Sequence, residues 1–157
     1  MTSNHHIFTC TVCLEPIGNP HLSIDRRVEK LAVMQHEGKP VTAINIAERD
    51  TLFMYCSHEC WQVHEPTLGA AMELKQTFPA FNFVTPCCRC DRAVNRTQHY
   101  VCFSISEMSF QGSKQLVAQC IDDHDYAVLC KDCESPGIHG AEESECSEVP
   151  IKESVCI

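Results

Sequence analysis

The sequence predicts a small α+β fold stabilised by zinc: two tandem four-cysteine units built on short antiparallel strands, with one or two helices between them. Two cysteine brackets of nearly equal length point to it first. Cys10-x2-Cys13 closes with Cys56-x3-Cys60, leaving 42 residues between the inner cysteines, and Cys87-x2-Cys90 closes with Cys130-x2-Cys133, leaving 39. Each bracket offers four thiolates as two chelating pairs, the donor set a tetrahedral Zn2+ takes. An internal repeat is the second observation. Residues 38–56 (GKPVTAINIAERDTLFMYC) lie without a gap on residues 112–130 (GSKQLVAQCIDDHDYAVLC). Apolar Ala43, Ile46, Phe53, Met54 and Tyr55 fall on Val117, Cys120, Ala127, Val128 and Leu129, and acidic Glu48 falls on Asp122. Such periodicity marks a repeated structural unit. Composition is the third: 44% hydrophobic and 21% charged residues suit a folded globular chain rather than a disordered one.

The elements follow in order. Residues 8–13 read as a short strand entering the first zinc turn. Leu22, Ile24 and Val28 partly alternate with polar neighbours, as in a strand with one face in water. EGKP (37–40) reads as a turn, and 41–47 and 52–55 as two further strands. Ser57 suits a helix N-cap, with Glu59 in the first turn of a helix reaching His64. Pro66 then suits the first turn of a second helix marked by Leu68, Ala71, Met72 and Lys75. The second unit repeats the plan, with strands around 100–105, 116–121 and 126–129 and a turn at Gly112. After Cys133, Pro136, Gly137 and Gly140 oppose a closing helix. The first unit therefore reads as treble-clef type and the second as zinc-ribbon type.

These elements divide the chain into a first zinc unit with C-terminal helices (1–84), a second, ribbon-like unit (85–135) and an acidic, disordered tail (136–157). Units of this size have modest cores, and bound metal adds much of their stability. A start with neither basic leader nor apolar core, and an odd count of 13 cysteines, favour thiolates held by metal in a reducing cytoplasm over a secreted disulfide scaffold. No run is long and apolar enough for a membrane span.

The closing half of the first bracket, YCSHECWQVH (55–64), resembles the FCS/TRASH type of treble-clef zinc finger. That pattern has an aromatic, Cys-Ser, two residues, Cys and an aromatic-bearing helix. The likeness covers about ten residues and implies a ligand role for Cys56 and Cys60. The bracket is longer than is usual for that finger, and Trp61 departs from its aromatic position. Members serve in metal sensing, nucleic-acid contact and protein docking, so the resemblance implies metal binding without selecting among those roles.

Two Zn2+ ions are thus assigned to Cys10, Cys13, Cys56 and Cys60, and to Cys87, Cys90, Cys130 and Cys133, with Cys88 an alternative to Cys87. Four-sulfur sites are coordinatively closed and build structure, whereas catalytic zinc keeps a position open for water. Cys102 and Cys120 read as small buried hydrophobes, and Cys146 and Cys156 as free thiols. His64 is an alternative ligand or a neighbour of the first site. His58 flanks the same turn, and His5 and His6 precede the fold. His21 and His99 read as equivalent residues making a hydrogen bond near each zinc turn, and His124 as a solvated turn residue.

HExxH, GxSxG, phosphate-loop and Rossmann patterns are absent from the sequence. Net charge is −9, and the basic stretches Arg26, Arg27, Lys30 and Arg89, Arg92, Arg96 read as solvated faces. An acidic chain disfavours nucleic acid, whose binders display a basic face. The reading that results is a non-catalytic, cytoplasmic zinc protein whose metal sites support a surface for another protein; Trp61, Phe53 and Phe103 read as core residues first and as part of that face second. The alternatives are a nucleic-acid-binding regulator, in which Arg26, Arg27, Arg89, Arg92 and Arg96 converge, and a thiol or metal-handling protein. Oligomeric state is left open.

Overall fold

The computed structural model describes residues 8–111 and 117–134. His5, His6, the Gly112 turn, the strand start at Leu116, the tail at 136–157, Cys146 and Cys156 lie outside them. The elements are β1 (His21–His36), β2 (Lys39–Tyr55), α1 (His58–Ala71), β3 (Val84–Pro86), β4 (Ala93–Asn95), β5 (Tyr100–Gln111) and β6 (Val117–Leu129). Strands β2-β1-β5-β6 form one antiparallel sheet, and β3-β4 form a small separate hairpin.

The strands are long where short ones are expected. The run read as two strands, 41–47 and 52–55, is the single strand β2 of 17 residues. Two bulges explain the difference. Ile24 pairs with Phe53 but Asp25 with Thr51, so Leu52 is extra; Val28 pairs with Glu48 but Glu29 with Ile46, so Ala47 is extra. Each extra residue slips the alternation by one place and breaks the period of two that marks a strand. The second hairpin does the same. Tyr126 is extra between the partners of Phe103 and Ser104, and Ile121 between those of Glu107 and Met108. The gapless alignment carries Ala47 onto Ile121 and Leu52 onto Tyr126, so both hairpins bulge at matching positions.

At the first hairpin's tip, Glu37 and Gly38 both have positive φ (49° and 75°), as a two-residue type I′ turn requires. Expected turn and observed turn coincide. Matching the bulges also places His21 on Tyr100 rather than on His99. The expected equivalence is therefore off by one: His21 is buried and donates from Nδ1 toward the Gly18 carbonyl at 3.1 Å, while His99 is exposed.

One helix stands where two are expected. α1 runs through Pro66, which gives up one backbone bond and clashes with the preceding turn at a cost near 3 kcal/mol. Tertiary packing offsets that: Trp61 and Leu68 are buried, with Trp61 edge-on to Tyr126 at 5.2 Å and to Tyr55 at 5.5 Å. Ser57 caps the helix by accepting from the Cys60 N–H, and Glu73 leaves it with φ 55°. Trp61, Leu68 and Met72 share one core with Ile24, Phe103, Ile105, Tyr126 and Val128. No helix of the described residues is long and apolar enough to cross a membrane.

Candidate metal centres

Both opening pairs sit on the same tight turn. At Cys10, the N–H donates to Glu15 O at 2.8 Å and its carbonyl accepts from Leu14 at 3.0 Å; at Cys87, the partners are Arg92 O at 2.8 Å and Asp91 N–H at 3.0 Å. Leu14 (φ 63°) and Asp91 (φ 64°) make the left-handed step that lets the chain return. An isolated bridge Thr9–Pro16 flanks the first turn and β3-β4 flanks the second. The strand expected at 8–13 is therefore mostly this turn.

Each turn is fastened to the end of a long strand. Thr11 N–H donates to Met54 O and Cys88 N–H to Val128 O, both at 2.8 Å. These bonds carry Cys10 and Cys13 to Cys56 at the end of β2, and Cys87 and Cys90 to Cys130 at the end of β6. Cys88 thus occupies the place of Thr11. It lies outside the four-sulfur group, and its sulfur accepts the Val128 N–H at 3.3 Å. Cys56 and Cys60 bracket the N-terminus of α1, whereas Cys130 and Cys133 sit in a turn, with Cys133 N–H donating to Cys130 O at 3.1 Å.

Within each set, all four sulfurs lie within 4.8 Å of one another. Sulfurs are 3.4 Å apart for Cys13–Cys56, 3.7 Å for Cys56–Cys60 and 3.7 Å for Cys90–Cys130. Zinc–sulfur bonds of ~2.3 Å in a tetrahedron place sulfurs roughly 3.8 Å apart, so the sets fit one ion each. A disulfide would need about 2.05 Å, and all eight cysteines are free. The two sets could hold metal ions, and four sulfurs suggest structural zinc.

Backbone donors prepare the sulfurs for that charge. Burial works to raise Cys10, but N–H groups of Cys13, Cys56 and Val12 overcome it and bring the thiol down to about 6. Cys87 comes down to about 7 in the same way, burial being outweighed by the N–H groups of Cys130, Cys90 and Arg89. Cys56, sharing protons with Cys13 under partial burial, is pushed up to about 12, and burial with proton sharing by Cys90 does the same to Cys133. A divalent cation replaces those shared protons.

The histidines of the described residues stand outside both sets. His64 accepts or donates at Tyr55 Oη at 2.6 Å and meets Phe53 edge-on, locking α1 to β2 beside the first site. His124 pairs with Asp122 at 3.0 Å on the exposed side of β6.

Sequence reasoning missed a buried polar network. The side of β1 assumed to face water is covered: Asp25, Arg27 and Glu29 are buried, and so is Arg96. Tyr100 donates to Glu29 at 2.7 Å, and Arg96 to Asp125 at 2.6 Å and Tyr100 at 2.8 Å. Arg27 grips Asp123 with two bonds of 2.7 and 2.8 Å, and Cys102 donates to Asp125 at 3.3 Å. Glu29, Cys102 and Asp125 bring three ligand-type atoms together. Arg96 lies 2.6 Å from Asp125 and 3.9 Å from Glu29, Arg27 lies 3.9 Å from Glu29, and burial holds the Cys102 thiol well above its ordinary range, so this trio suits a buried ionic network rather than a cation. Alternation of Asp25, Arg27, Glu29 and of Ser104, Ser106 was the available signal.

No known protein family, curated protein or solved structure matches the chain.

Proposed function

We propose that the protein is a non-catalytic module in which two structural Zn2+ ions hold a surface that docks another protein. Closure of both sites by four sulfurs is the observation that carries this reading, because it leaves no coordination position for water or substrate. In the finer reading, the first site is of treble-clef type, with ligands at a helix N-terminus, and the second of ribbon type, closed by a turn. The shared turn geometry, the shared docking bond and the matching bulges support descent of both from one unit. The eight site cysteines, free of disulfides, support a reducing compartment such as the cytoplasm.

Nucleic acid is the weaker partner class. Arg26 is engaged by Glu48, Asp50 and Glu134, Arg27 by Asp123, and Arg92 by Asp132. Arg89 donates to the Met72 and Cys133 carbonyls, and Arg96 is fully buried. Arg26, Arg27 and Arg96 are buried, and Arg89 and the exposed Arg92 are each engaged within the chain, which weighs against a basic phosphate-binding face. Thiol or metal handling is disfavoured by the closure of both four-sulfur sets, which commits all eight thiolates to structural sites. Anisotropy of a labelled oligonucleotide, titrated with salt, tests the choice. The reading expects no binding at physiological ionic strength; tight binding with a steep negative salt slope would overturn it.

A further inference from the structure

A groove runs between α1 and the β5–β6 hairpin. Its deeper part, about 420 Å³, has Leu22, Trp61 and Ile105 as an apolar floor and Phe78 at one end. Glu65, Glu107 and Asp122 form its rim, and no lysine or arginine of the described residues lines it. A second hollow of about 380 Å³ shares Leu22, His58 and Glu107 with the first and extends it to His21, Cys56 and Ser57. The groove therefore ends against the first four-sulfur site. Four thiolates around one Zn2+ carry a net charge of about −2, which adds to the three carboxylates.

The carboxylates are weakly compensated. Among the described residues, Glu65 accepts only from the Tyr126 hydroxyl at 3.3 Å, and Asp122 from the Asp123 N–H and from His124. Asp25, Asp123 and Asp125 across the sheet are different, each held by an arginine. Apolar floor, anionic rim and missing cations together complement one chemistry. We infer that this groove binds a basic segment of a partner protein, with an apolar side chain seated on Trp61 and lysine or arginine side chains reaching Glu65, Glu107 and Asp122. This rests on the docking function proposed above and names the class of partner. Metal enters it directly, because Cys56 and the helix start at Ser57 and His58 form one wall.

Trp61 is the chain's sole tryptophan and lines the groove, so its fluorescence reports on events there. The test is a random-peptide array probed with the zinc-loaded full chain, followed by tryptophan-monitored titration of the selected peptides. Expected are peptides enriched in lysine and arginine beside an apolar residue, a Trp61 emission change on binding, and affinity weakened at least about tenfold by Glu107→Lys with Asp122→Lys. Glu107→Gln with Asp122→Asn should fall between, and both variants should retain two zinc ions. Selection of nothing, of acidic or uncharged peptides, or of peptides that leave Trp61 emission or the Lys variant's affinity unchanged would overturn the inference. Loss of zinc from the unaltered chain without loss of structure would instead remove the reading beneath it.

Discussion

Asp25 on β1 lies directly opposite Ser104 on β5, and each is the residue just after the first bulge of its own hairpin. Equivalent positions therefore meet at the centre of the sheet, and the two hairpins are related by a local two-fold. The β1–β5 ladder, His21–Met108 to Glu29–Tyr100, joins them, and it buries the polar face of β1.

The first prediction concerns that ladder. Residues 1–84, expressed alone with zinc, leave the edge of β1 open and expose Asp25, Arg27 and Glu29 without β5. A two-dimensional amide spectrum of the fragment should show poor dispersion or aggregation. A well-dispersed spectrum matching the corresponding half of the full chain would contradict the dependence.

Cys87 and Cys88 should separate cleanly. Cys87→Ala is expected to reduce the zinc count from two to one in native mass spectrometry, and Cys88→Ala to leave it at two, because only Cys87 joins the second sulfur set. Loss of one ion from the Cys88 variant with retention in the Cys87 variant would exchange their roles.

Much of this was legible in the sequence, and the exceptions have physical causes. Paired cysteines, the Ser57 cap and the Glu37–Gly38 turn are local chemistry, and each reads directly. Strand lengths did not, because bulges at Ala47, Leu52, Ile121 and Tyr126 shift the alternation where the eye looks for continuity. Pro66 signalled a helix start, but packing of Trp61 and Leu68 carried one helix past it. The burial of Arg26, Arg27 and Arg96 depends on acidic partners such as Glu134, Asp123 and Asp125, roughly 30 to 110 positions away in the chain. Long-range pairing of that kind has no local signature.

Arg96 tests the buried network. Arg96→Met removes the cation from Asp125 and Glu29, leaving buried carboxylates uncompensated. Denaturant unfolding of the zinc-loaded variant should show a loss of about 3–5 kcal/mol, since one partner of a buried pair is removed. A loss under about 1 kcal/mol would show that solvent reaches the site.

His21 should titrate low. Burial disfavours its imidazolium, only partly offset by the Gly18 carbonyl, so its folded value lies below the ordinary 6.5. A proton then favours the unfolded chain: the contribution to stability is present above about 6.5 and is lost as pH falls through the folded value, near 1.4 kcal/mol per unit of depression. Proton NMR of the ring, followed against pH, should give a midpoint under 6.5. A midpoint at or above it would refute the burial.

The most direct measurement is metal content read together with structure. Native mass spectrometry of the purified chain should give two zinc ions with all eight cysteines reduced, and a strong chelator should strip both while the strand signal in circular dichroism collapses. A chain that keeps its full spectrum with no metal bound, or that carries those cysteines as disulfides, would contradict the assignment.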